Sequence, residues 1–154
     1  MARRAPAPPT APQHGLAVMG AHGGAGISTV VRLLDPQSQG WARELSPGQH
    51  LPQQFIPVVV TRSTAYGLHK TQDLLNHWHP SVPRPYLVVI RDAPLRPPMP
   101  VLYRLRTLAP KTLGIAHVPY LYRLRTVDDT AEALTDAPVS KAARELRTAL
   151  GFSD

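Results

Sequence analysis

Cysteine is absent from the 154 residues. That excludes disulfides, thiolate nucleophiles and cysteine-based metal sites, and removes any redox clue to compartment. No apolar run approaches the roughly 18 residues needed to cross a membrane, and the first residues, Met1 to Pro12, lack the apolar core of a secretory signal. A cytoplasmic protein with no integral membrane segment is therefore expected. Acidic residues are few, 10 against 17 Lys and Arg, which gives a formal charge of +7 and a pI near 10.4. Most of that excess is arginine, whose planar guanidinium suits phosphate or carboxylate, so an anionic partner such as nucleic acid fits the charge. A general bias toward Ala, Pro and Arg explains it equally well, because the basic residues are not gathered into one long run.

Proline is plentiful instead, at 18 residues, well above the usual roughly 5%, so many must lie in loops. Residues 1–14 are Pro/Ala-rich without apolar periodicity and are expected to form a disordered arm ahead of a single domain over residues 15–151. Within that domain the apolar β-branched runs Gly15 to Gly20, Ile56 to Thr61, Tyr86 to Ile90 and Leu113 to Val118 read as buried strands. Between them Ser28 to Leu34, Ser63 to Trp78 and Leu102 to Leu108 read as helices, and a last helix runs from about Val139 to Leu150, ended by Gly151. Gln37 to Gln54 reads as a long connection with a small helix around Trp41 to Leu45. Strands alternating with helices imply βαβ crossovers, hence an α/β fold of three layers, αβα, with a mainly parallel sheet of few strands. Ligands of such sheets bind beyond the carboxyl ends of the strands.

The turn after the first strand, Ala21-His22-Gly23-Gly24-Ala25-Gly26-Ile27-Ser28-Thr29, sits at that end. A phosphate-binding loop follows GxxxxGK and then Ser or Thr: backbone N–H groups cradle the phosphates, Lys reaches the terminal phosphates and the hydroxyl holds magnesium. Ala21 stands in the first glycine position and Ile27 in that of the lysine. A phosphate nest needs only backbone N–H groups and a helix dipole, whereas phosphoryl transfer depends on cationic clamps that Ile27 lacks. An arginine at a strand end, Arg62 or Arg91, is the available substitute. Ser28 and Thr29 read either as ligands of magnesium and phosphate or as capping hydroxyls.

His22-Gly23-Gly24-Ala25-Gly26-Ile27-Ser28-Thr29 resembles the deviant phosphate-binding motif of ParA/MinD-type ATPases, KGGxGK followed by two hydroxyl residues, with both lysines replaced. Val58 to Leu68 is similar to the strand and turn that follow in that family, Leu87 to Asp92 to its strand ending in Asn-Arg, and Leu113 to Tyr120 to its late strand and base-contacting turn. The second and third family strands have no counterpart between Leu34 and Phe55. The chain thus resembles a degenerate ParA/MinD-like P-loop protein of a small actinobacterial type. The resemblance implies a P-loop NTPase-like fold and ATP or another nucleotide with magnesium, or no cofactor at all. It places the nucleotide on His22 to Thr29 and Pro119, magnesium on Ser28, and Asp92 as the one candidate catalytic carboxylate. It also implies a protein partner in a larger bacterial assembly of DNA-transfer, partition or secretion type, and a possible homodimer. Whether any ATPase activity survives the loss of lysine stays open; a slow nucleotide hydrolase is one alternative.

A basic nucleic-acid-binding module is another. The hexapeptide Leu-Tyr-Arg-Leu-Arg-Thr occurs twice, at residues 102–107 and 121–126. It sets Arg104, Arg106, Arg123 and Arg125 beside Tyr103 and Tyr122, a combination suited to phosphate contact and base stacking. The alternative is two amphipathic segments with Leu inward and Arg in solvent. Of seven histidines, His77 and His79 are two apart without supporting Cys or clustered carboxylates, a poor metal pattern. Asp128-Asp129 reads as a helix N-terminal cap.

Overall fold

In the computed structural model residues 14–152 are described, so the expected arm, His14 apart, lies outside the described residues. Five strands, β1 Gly15–Gly20, β2 Ala42–Glu44, β3 Phe55–Arg62, β4 Tyr86–Ile90 and β5 Gly114–Val118, form one all-parallel sheet in the order β2-β1-β3-β4-β5. The helices are α1 Ile27–Leu34, α2 Ala65–Asn76, α3 Met99–Leu108, α4 Tyr122–Thr126, α5 Thr130–Ala133 and α6 Ala137–Ala149. A 3-10 turn, Ala109–Lys111, extends α3. The molecule is an α/β, three-layer αβα protein with few strands, and the winding reverses between β1 and β3. None of its described helices is long and apolar enough to cross a membrane.

One expectation is corrected. The small helix at Trp41 to Leu45 is a strand, because Ala42, Arg43 and Glu44 pair in parallel with Leu16, Ala17 and Val18. The unsatisfied backbone edge of β1 outweighs the weak local helix propensity of so short a segment. A strand therefore does occupy the stretch between Leu34 and Phe55.

Side-chain alternation splits the core into two layers. Val58, Val60, Val88, Ile90 and Val118 join Val30, Leu33 and Leu34 of α1 and Val139 and Leu146 of α6 on one face. On the other, Val59, Leu87 and Val89 meet Leu68 of α2 and Val101 and Leu105 of α3. At eight residues α1 is too short to persist alone. Its three fully buried side chains hold it in place, each worth about 2 kcal/mol. Thr64 caps α2, its Oγ1 accepting Gly67 N–H at 3.0 Å.

The turn between α1 and β2 is closed by Asp35, which is buried and accepts N–H bonds from Gln39 at 2.9 Å, Gly40 at 2.8 Å and Trp41 at 3.1 Å. Asp35→Ala strands those donors and should cost about 3 kcal/mol in denaturant unfolding, enough to shift the midpoint visibly. On β5, desolvation lowers the pKa of His117 below its ordinary 6.5, and the Arg91 cation adds to the shift. The unfolded chain then binds the extra proton first, so stability is fully present above pH 6.5 and declines as pH falls through the folded value. His117→Gln should remove that acid-side decline in a comparison of unfolding midpoints between pH 5 and 7.

Candidate functional site

The glycine loop joins the carboxyl end of β1 to α1, and its backbone conformation requires glycine at two positions. Gly24 and Gly26 take φ of 74° and 99°, a region that L side chains avoid. Gly26 also lies so close to β4 that an added Cβ would fall 2.7 Å from Ile90 Cδ1. Ala25 between them is buried, while Gly23 and Gly24 face solvent. Gly26 begins α1 with no side-chain cap, and the first turn of the helix carries no acidic residue. The positive end of the helix dipole is thus left uncompensated by its own chain neighbours.

His22 turns inward. Its Nε2 accepts the Arg62 backbone N–H at 3.2 Å and its Nδ1 lies 2.9 Å from the Gly23 carbonyl. An acceptor at Nε2 and a carbonyl at Nδ1 together specify the neutral ring with the proton on Nδ1. The ring meets Tyr66 edge-on, 5.7 Å between centroids, and an added Cβ on Gly67 would come within 3.0 Å of its Nε2. His22 therefore pins the loop to β3 and α2 of its own chain.

The cation at the loop comes from β3. Arg62 Nε donates to the Gly24 carbonyl at 3.2 Å, and its Nη2 would lie 3.6 Å from an added Cβ on Gly26. The Nη groups make no hydrogen bond among the described residues. Burial lowers the Arg62 pKa, the Arg125 cation lowers it further and Asp92 opposes both. Asp92 itself follows β4 and is half-exposed. Its N–H donates to Ser63 Oγ at 2.9 Å, and its carbonyl and Oδ1 lie 3.2 Å and 3.7 Å from Arg125 Nη2. Arg125 also rests over the Tyr120 ring at 5.5 Å. Two guanidinium groups thus share one carboxylate beside an uncapped helix terminus, and the locality is short of negative charge.

The other expected site residues scatter. Ser28 is exposed and faces a polar cavity of about 480 Å³ with Arg32, Glu44, Asp128 and Asp129, away from Asp92. Asp129 there caps α5, accepting Ala131 N–H at 2.9 Å. Thr29 is half-buried on α1. Pro119 is exposed after β5, three strands from β1, with Arg62, Asp92 and Arg125 between it and the loop. Ile27 folds back on β1, its Cδ1 2.9 Å from where a Cβ on Gly20 would be. Among the described residues no three His, Cys, Asp or Glu side chains are grouped to hold a metal ion.

Both hexapeptides are helical, one within α3 and one forming α4 with Leu121. Leu105 and Leu121 are buried, Tyr103 and Tyr122 exposed. In each copy the threonine hydroxyl donates to the carbonyl three residues earlier, Thr107 to Arg104 at 2.7 Å and Thr126 to Arg123 at 3.1 Å. Arg123 approaches Glu132 at 3.7 Å, Arg125 serves Asp92, and Arg106 is exposed on α3. The copies share the threonine contact but bury different leucines, the fourth residue in one and the first in the other. Of the two strand-end arginines that the sequence offered, Arg62 is the one that reaches the loop, and Glu44, which lay in an expected helix, lines the cavity beside Ser28.

No protein-family model matches the chain, and neither does any curated protein sequence. The loop conformation can be checked by itself: Gly26→Ala should cost about 1–2 kcal/mol of stability from its positive φ, read as a lowered denaturation midpoint.

Proposed function

We propose that this is a degenerate ParA/MinD-like nucleotide-binding protein, cytoplasmic, that serves a larger bacterial assembly as an accessory subunit and has little or no ATPase activity. The observation that carries the reading is the Arg62 guanidinium tied to the Gly24 carbonyl, with its Nη groups making no hydrogen bond among the described residues. It offers the cation that Ile27 cannot, next to loop N–H groups that no carboxylate caps. An anion there would offset the desolvation of the Arg62 charge and its repulsion by Arg125. Phosphate is the anion whose geometry a glycine turn and a guanidinium fork share.

The hydrolase reading has less support. Ser28, the hydroxyl for magnesium, opens on a cavity whose lining does not include Asp92, and Asp92 is engaged by Arg125, so the one candidate carboxylate is not poised beside that hydroxyl. The nucleic-acid reading rests on the exposed Tyr103 and Tyr122 beside arginines, but these sit on separate helices, and Arg123 and Arg125 on the second already face Glu132 and Asp92.

Calorimetric titration with ATP and GTP, with and without magnesium, tests the proposal. Saturable binding is expected, weakened about tenfold by Arg62→Gln, the loss of one charge-assisted contact of about 1.5 kcal/mol. Gly23→Asp should abolish it. Gly23 has open space around it and an unexceptional φ, so that variant retains the fold while placing a carboxylate in the nest. No binding at millimolar nucleotide, or equal binding by Gly23→Asp, would overturn the proposal.

A further inference from the structure

The connection from β2 to β3 crosses β1, and it does so without a helix. Parallel strands are ordinarily joined through a helix that covers the sheet. Here Leu45 to Gln54 is irregular, and α2 reaches only as far as β3. Between that connection and α2 the sheet is left with a cavity of about 610 Å³, floored by Met19 and walled by Ile27, Leu45 and Leu74. It continues into about 240 Å³ more, toward Leu51, Pro57 and Trp78. Gly20, His22 and Gly23 of the glycine loop form its inner rim, so cavity and loop are one continuous surface.

We infer that this cleft, on the β2 side of the loop, receives the base and ribose of a bound nucleotide, so that they do not lie beside Pro119. The inference rests on the nucleotide reading above and adds the direction in which the ligand extends. The volume falls in the range of small-molecule sites, about 300–1,000 Å³. The walls are apolar and suited to the faces of a flat ring, and Met19 offers a polarizable sulfur. The turn at the mouth supplies polar groups for a ring edge. Ser46 and Gln49 hold each other through Ser46 N–H to Gln49 Oε1 at 2.8 Å and Gln49 N–H to the Ser46 carbonyl at 3.1 Å. The Ser46 hydroxyl and the Gln49 amide nitrogen then have no partner among the described residues. In the other direction, toward Pro119, the ligand would have to cross Arg62 and the Arg125–Asp92 pair. Ile27 acquires a positive role: where a lysine would reach into the phosphates, its side chain completes an apolar wall.

The test separates base from phosphate. ATP and inorganic tripolyphosphate, which has no base, are titrated into the wild type, Leu74→Trp and Gln49→Ala. The indole of Leu74→Trp fills the cleft without adding charge; Gln49 is exposed, so Gln49→Ala guards against a folding artefact. The expected result is that ATP binds more tightly than tripolyphosphate to the wild type and loses about tenfold in both variants, while tripolyphosphate is unaffected. Equal affinities of ATP and tripolyphosphate for the wild type, or ATP binding unchanged in both variants but weakened by Pro119→Glu, would overturn the cleft and leave the phosphate loop standing. Failure of both ligands to bind the wild type would remove the nucleotide reading and the cleft together.

Discussion

A parallel sheet buries both faces, so each strand must be crossed by something that covers it, and in this chain one crossover is made without a helix. That constraint shapes most of the molecule. The face packed by α1, α5 and α6 is closed, with Leu33, Val58, Val88 and Leu146 fully inside. The opposite face has only α2 and α3, and its layer is correspondingly small. Over β1 the irregular Leu45–Gln54 segment takes the place of a helix, and a cleft remains. The winding reverses at the same point, between β1 and β3, where open α/β sheets leave room for ligands. Incomplete cover and topological reversal coincide beside the glycine loop.

The electrostatics of that loop are set by contacts across the sheet. With lysine gone from position 27, the loop's own chain neighbours bring no charge to it. Arg62 arrives from β3 because β1 and β3 pair in register to their ends, Gly20 opposite Val60, which carries the next two residues of β3 past the strand and alongside the loop. His22 is fixed by the same pairing, accepting the N–H of Arg62. One residue thus positions the loop through its backbone and charges it through its side chain. Asp92 and Arg125, brought in by β4 and α4, extend the charged strip along the carboxyl edge of the sheet.

The repeated hexapeptide shows how far identical sequence determines identical structure. Each copy ends in a helical turn with the threonine hydroxyl on the carbonyl three residues back, but Leu102 lies within α3 whereas Leu121 is the extended residue before α4, and the buried leucine is Leu105 in one copy and Leu121 in the other. The local rule of side-chain capping is satisfied within six residues. The arginines nevertheless differ in their surroundings, because α3 lies on one face of the sheet and α4 follows β5 at its edge.

Sequence alone determined the three-layer α/β architecture, four of the five strands and the glycine turn, because continuous β-branched runs, helix stops and glycine punctuation are local signals. It did not reveal β2, whose three residues form a strand only because β1 offers an unpaired edge. Nor did it assign the loop a cation: of Arg62 and Arg91, both at strand ends, only the strand order decides which one reaches Gly24. Ser28, the expected magnesium ligand, likewise opens on a cavity that Asp92, the candidate catalytic carboxylate, does not line. Contacts between residues distant in the chain depend on which strands are neighbours, and that is settled by burying two faces of a sheet, a property of the whole fold and of no single segment.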